Sequence, residues 1–170
     1  LIGTFFFVGL FLSLLLFVFQ KVLRRSKVGG KDYLFLGILT VVLISFIRIF
    51  LFVGGAVGDL LPFGIPPSSF YGLYPVAAFV MMVRFVLPLP LAILFAPVAA
   101  VLAGELLQAS FYHTLYYLIG GIIGIHWISK VRSRGQILKT GFQLGAVNAV
   151  VLFALDLVSV TSLAGALTLE

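Results

Sequence analysis

Cysteine is missing from this chain of 170 residues, and charge is scarce: Asp, Glu, Lys and Arg make up 9% of it. Without thiols there is no disulfide framework and no thiolate metal site, and the redox compartment leaves no trace. Soluble domains are about a quarter charged, so this few ions cannot clothe a surface that faces water. Strict polar and apolar alternation is also lacking, which excludes the ~10-residue strands of a membrane barrel. Hydrocarbon fills the place of all these: 62% of the residues are hydrophobic, and the mean hydropathy is +1.27. The length accommodates about six spans of about 20 residues joined by short loops. The expected fold is an all-α integral membrane protein, a bundle of about six transmembrane helices, because in lipid a helix satisfies its own backbone.

A net charge of +6 could suggest nucleic acid. The Lys and Arg residues, however, sit in loops between apolar runs and not on one amphipathic face, which points to the lipid bilayer as partner and excludes nucleic acid. The spans read as about 1–19, 33–56, 71–86, 89–107, 112–128 and 140–160 within a transmembrane domain of 1–168. The first carries no charge, and at ~1.5 Å per residue it reaches about 28 Å. Lys21, Arg24, Arg25, Lys27 and Lys31 follow it at once. Arg84, Lys130, Arg132, Arg134 and Lys139 fall on the same side, so of 11 basic residues only Arg48 lies away from it. By the positive-inside bias that side is cytoplasmic, and the N-terminus is outside a bacterial inner membrane. The loop 57–70 has Pro62, Pro66 and Pro67 but no Lys or Arg, as an outer loop should. Tyr71, Tyr74, Tyr112, Tyr116 and Tyr117 fall near the outer boundary and Trp127 near the inner one, where they read as aromatic belts.

Helices in lipid associate where small residues let backbones approach. Ala92, Ala96, Ala100 and Gly104 form one such ladder, Gly120 and Gly124 a second, Gly141 and Gly145 a third. The fourth, fifth and sixth spans are therefore expected to form the tight core. Intramolecular packing is the ordinary use of these ladders, and a homodimer interface is the alternative. The first span carries Phe5, Phe6, Phe7, Phe11, Phe17 and Phe19, which suits a lipid-exposed position.

Arg48, Glu105 and Asp156 each lie about 15 residues beyond a cytoplasmic helix end, roughly 22–24 Å in. Mixed charges sharing one layer are costly unless they find a counter-ion or water, so Arg48 is expected to pair with Asp156 or Glu105. The alternative is the floor of an outward-facing cavity. Asn148, nearer the midplane, is expected to make an interhelical hydrogen bond, with contact to a polar ligand as its alternative.

His113 and His126 are about 20 Å apart along one helix and cannot share a metal. No ligand set at metal spacing, no nucleophile and base, and no acid and base pair can be assembled; Gly29 and Gly30 lack the strand and Lys of a phosphate loop. The chain is read as having no catalytic machinery and no cofactor of its own. It begins at Leu1 without a signal-peptide pattern, as an excerpt of a longer protein would. Leu169 and Glu170 read as native residues or a cloning remnant and carry no functional weight.

Three stretches carry a family resemblance: Leu1, Ile2, Gly3 and Thr4; Tyr74, Pro75, Val76, Ala77 and Ala78 followed by Met81 and Met82; and the loop Lys130 to Arg134 with Leu138, Lys139, Thr140, Gly141, Val147, Asn148 and Ala149. Together they resemble the membrane region of bacterial seven-transmembrane receptors with an intracellular HD hydrolase domain. The resemblance implies an extracytoplasmic domain before this region, a seventh helix after it, and then a cytoplasmic HD domain that hydrolyses cyclic di-AMP. The His-Asp metal dyad of that domain does not occur in these residues, so what is implied here is signal relay. One rival is the substrate-binding subunit of an energy-coupling vitamin transporter, which has about six helices but places small residues along its first helix, where this chain has Phe and Leu. A membrane scaffold with no cavity is another.

Overall fold

The computed structural model describes residues 29–60, 67–129, 131 and 134–167, with side chains described for all of these except 59, 67–69, 134, 156 and 159–167. The expected first span, 1–19, lies outside the described residues. Within them, five α-helices and one 3-10 helix follow in order: α1 (Gly30–Leu60), the 3-10 helix (Pro67–Leu73), α2 (Val76–Val86), α3 (Leu89–Leu107), α4 (Phe111–Ile128) and α5 (Arg134–Leu167). No strand occurs among the described residues. Three stretches are long and apolar enough to cross a membrane, Gly30–Gly58, Leu89–Leu107 and Gly135–Leu155, and Phe70–Val86 is a shorter apolar helix.

Helix α1 starts where Asp32 reaches back to accept a hydrogen bond from the Gly29 N–H at 2.9 Å. A carboxylate there satisfies an orphan donor and favours the positive end of the helix dipole. One face of α1, Leu36, Leu39, Leu43 and Ile47, is buried at helical spacing. Its opposite face is equally apolar yet exposed, with Leu34 at 67% and Phe52 at 79%. Apolar residues all round a helix need hydrocarbon on the uncovered side.

The expected third span is divided. Pro75 offers no N–H and restricts the residue before it, so the 3-10 turn stops at Leu73 and α2 begins at Val76. Leu87 is extended ahead of Pro88, and Leu89 and Pro90 open α3 at positions where a missing N–H costs nothing. Helix α3 buries Leu91, Ala92, Phe95, Ala96, Ala99, Ala100 and Ala103. It closes in a Schellman turn: Ala109 N–H bonds the Gly104 carbonyl at 2.9 Å and Gln108 N–H the Glu105 carbonyl at 3.2 Å. Gln108 takes the left-handed conformation, φ 49°, that glycine usually supplies.

Helices α2, α3 and α4 pack mutually, α1 lies mainly on α3, and α5 lies on α4. The core therefore centres on α2, α3 and α4, where the sequence pointed to the fourth, fifth and sixth spans. Among its described residues, helix α5 buries only Thr140 and Leu144. Cβ atoms built at Gly141 and Gly145 meet nothing within 4 Å, so this ladder does not mediate a close helix approach among the described residues. Glycines on α3 and α4 do meet neighbours. A Cβ at Gly121 would touch Val80 and Ala96, one at Gly124 would fall 2.8 Å from Met81 Cγ, and one at Gly104 would clash with Thr114.

Candidate functional site

Two tyrosine hydroxyls lock the 3-10 segment onto α4. Tyr116 donates to the Gly72 carbonyl at 2.8 Å and Tyr117 to the Tyr71 carbonyl at 2.7 Å. The carbonyls need these donors because a short 3-10 turn satisfies few of its own backbone groups. Tyr71 meets His113 edge-on at 5.6 Å between ring centroids, and Phe50 of α1 meets Tyr74 at 5.3 Å. An aromatic hub thus joins α1, the 3-10 turn, α2 and α4. Tyr74, Tyr116 and Tyr117 are buried in it, at 4%, 5% and 2% exposure, and are not belt residues. A buried tyrosine is stable when its hydroxyl finds a partner, and here backbone carbonyls serve. The helical adjacency of Tyr116 and Tyr117 after two further tyrosines was the signal available in the sequence.

Away from this hub, Arg84 at the end of α2 donates through Nε to Ser129 Oγ at 3.0 Å and through Nη1 to the Leu87 carbonyl at 3.3 Å. Ser129 in turn donates to the Ile125 carbonyl at 2.7 Å. One guanidinium thereby ties the C-terminal ends of α2 and α4 together.

Of the charged residues singled out in the spans, Arg48 and Glu105 are not brought together. Arg48 and Glu105 are both exposed, and no ion pair joins them among the described residues. The Asp156 side chain lies outside the described residues. Glu105 lines a cavity of about 520 Å³ at the end of α3 with Gln108 and Thr114. Asn148 is half-buried beside Gly120, where a Cβ would fall 2.8 Å from its Oδ1. That oxygen is buried and has no hydrogen-bond partner among the described residues.

A groove of about 670 Å³ is walled by α1, α2 and α5, with Ile128 of α4 at one end. Its described lining is apolar, with Phe35, Met81, Met82, Phe85 and Leu144, and among the described residues the one polar side chain in it is Asn148. A smaller cavity of about 380 Å³ shares Pro75, Gly145 and Asn148 with it and reaches Tyr116. Among the described residues no three His, Asp or Glu side chains converge as a metal site would require.

Apolar helices, a core rich in small residues and polar groups scattered singly define a helical membrane module. The chain belongs to the family of 7TM receptors with intracellular HD hydrolase, whose sequence model matches residues 1–169. It is similar to the cyclic-di-AMP phosphodiesterase PgpH of Bacillus subtilis (strain 168), with 25% identity over 169 residues that cover 96% of this chain and 22% of that protein. The chain thus spans less than a quarter of the relative's length. No solved structure matches. The family's name separates a membrane receptor portion from a hydrolase, and the match falls on the receptor portion. Neither comparison supports the transporter alternative.

Proposed function

We propose that this chain is the transmembrane sensor and signal-relay module of a receptor whose cytoplasmic HD domain hydrolyses cyclic di-AMP. The match of the family over residues 1–169 carries this reading. In it, about six helices cross the membrane with the N-terminus outside, the basic loops lie in the cytoplasm, a seventh span leads to the HD domain, and an extracytoplasmic domain precedes residue 1. The signal is a shift in population between two arrangements of the helices, biased by whatever engages the outer end.

The hub and the Arg84 link suit this role. Both fasten separate elements at their ends by one or two hydrogen bonds, each worth about 1 kcal/mol, so a modest input can favour one arrangement over another. The test is cyclic di-AMP hydrolysis by the full-length protein in nanodiscs. Relay predicts that Arg84→Gln and the double substitution Tyr116→Phe with Tyr117→Phe each change kcat several-fold while KM for cyclic di-AMP holds. Rates indistinguishable from those of the unaltered protein in both variants would refute it. Topology has its own check: Ser133→Cys should resist an impermeant thiol reagent in intact cells, and Ser68→Cys should react.

A further inference from the structure

Asn148 presents an energetic problem. A buried acceptor with no partner costs about 1–3 kcal/mol, and groups of this kind usually have a reason to exist. Its Oδ1 is in that state among the described residues. The Asn148 carboxamide donates to the Tyr116 hydroxyl oxygen, whose own proton goes to the Gly72 carbonyl, so that bond leaves Oδ1 without a donor. Meanwhile Gly141 and Gly145, about two turns and one turn before Asn148 on α5, have open space where side chains would stand, and both line the groove. Their smallness keeps volume free and does not bring helices together. The groove is open at its side, where Met82, Phe85 and Val86 are exposed, so it faces the surrounding hydrocarbon.

We propose that the groove between α1, α2 and α5 binds a neutral hydrocarbon-chain molecule bearing a hydroxyl group, which enters from the bilayer and anchors on Asn148. Size allows it: about 670 Å³ is within the range of small-molecule sites. Charge selects it, since among the described residues no ionisable side chain lines the groove, and against those walls an ionic headgroup would be desolvated without compensation. Adaptable walls suit a flexible chain, and Met81 and Met82 supply them. A carboxamide asks for a donor at its oxygen and an acceptor at its nitrogen, and a hydroxyl supplies both. The broad terminal torsion of Asn148 lets the carboxamide turn to meet it. An ordinary acyl tail fills the same walls but leaves the oxygen unpaired.

The experiment compares two photoreactive probes in nanodiscs holding the full-length protein: a hexadecanol with a mid-chain diazirine and a terminal alkyne, and the same chain ending in a methyl group. The alcohol should label peptides containing Met81 and Met82 and the 137–148 segment about five-fold more than the alkane does at equal bilayer fraction, the ratio expected of one neutral hydrogen bond. Asn148→Leu should abolish that preference while leaving the alkane signal. Gly141→Phe, placed where a Cβ meets open space, should block both probes without unfolding the helix. Equal labelling by alcohol and alkane in the unaltered protein, labelling confined to other segments, or no labelling at all would overturn the proposal. Hydrolysis of cyclic di-AMP is not the readout, so this site and the relay function stand or fall separately.

Discussion

Glycines on α4 and α5 look alike in the sequence and should respond oppositely to one substitution. At Gly121 a Cβ lies 3.4 Å from Val80 Cγ2 and 3.6 Å from the Ala96 Cβ. Alanine therefore fits in ordinary contact, and leucine does not: its three further carbons must enter a space held by α2 and α3, where Val80 and Ala96 are 0% and 1% exposed. Overpacking of a closed core costs about 1–3 kcal/mol. For a chain of this size about 2 kcal/mol lowers the melting temperature by roughly 4–8 °C. At Gly141 nothing lies within 4 Å, so Gly141→Leu meets no clash, and replacing glycine in a helix contributes up to about 1 kcal/mol in its favour. Thermal denaturation in detergent, followed by loss of the monodisperse peak, reads the contrast directly. Equal destabilisation by Gly121→Leu and Gly141→Leu, or none by either, would refute the packing assigned to these helices.

Tyr117→Phe should leave the Tyr71 carbonyl to the long 3.4 Å bond from the Tyr74 N–H and destabilise the protein by about 1 kcal/mol; hydrogen exchange should then rise in the 71–73 backbone with little change in α3. Arg84→Gln should loosen the joined ends of α2 and α4 by about 1 kcal/mol, seen as faster hydrogen exchange in the 84–87 and 125–129 backbone than in the unaltered protein. In the proposed pair of Arg48 with Asp156, Asp156→Asn should cost more alone than together with Arg48→Gln, with a coupling of at least ~1 kcal/mol in a double-mutant cycle. Additive effects there would leave Arg48 to solvate itself in headgroups or water.

Helix positions were largely legible because lipid leaves few ways to satisfy a backbone. The stretch read as 89–107 coincides with helix Leu89–Leu107, whose ends are written in Pro88, Pro90 and the turn after Leu107. Helix Gly30–Leu60 extends beyond the expected 33–56 at both ends, and Arg134–Leu167 starts before the expected 140. At the N-terminal ends of both helices stand Lys31, Arg134 and Lys139; Lys and Arg are good helix formers, so a basic flank prolongs a helix that hydropathy alone would end. Side-chain partners were harder to read. Depth along a span placed Arg48 and Glu105 in one layer, but depth carries no information on rotation about the helix axis, and both proved exposed. For the same reason a glycine ladder could not show whether it faced another helix or an opening. Tyr116 and Tyr117 looked interfacial because their chemistry is amphipathic, and only the packed 3-10 turn supplies the carbonyls that bring them inside.

The length of α1 has a practical consequence. Its apolar stretch, Gly30–Gly58, has 29 residues and at ~1.5 Å each extends about 43 Å against a hydrocarbon thickness of about 30 Å. Standing upright it would push some 13 Å of oily helix among headgroups, and lying wholly within the slab would take a tilt near 45°, steeper than the 0–40° that membrane helices adopt. Each ångström of mismatch costs a fraction of a kcal/mol, and α1 leans on α3 through Leu36, Leu39, Leu43 and Ile47. The acyl-chain length chosen for reconstitution is therefore a variable that sets the inclination of this helix, and rates measured in short-chain and long-chain bilayers belong to differently tilted forms of the same protein.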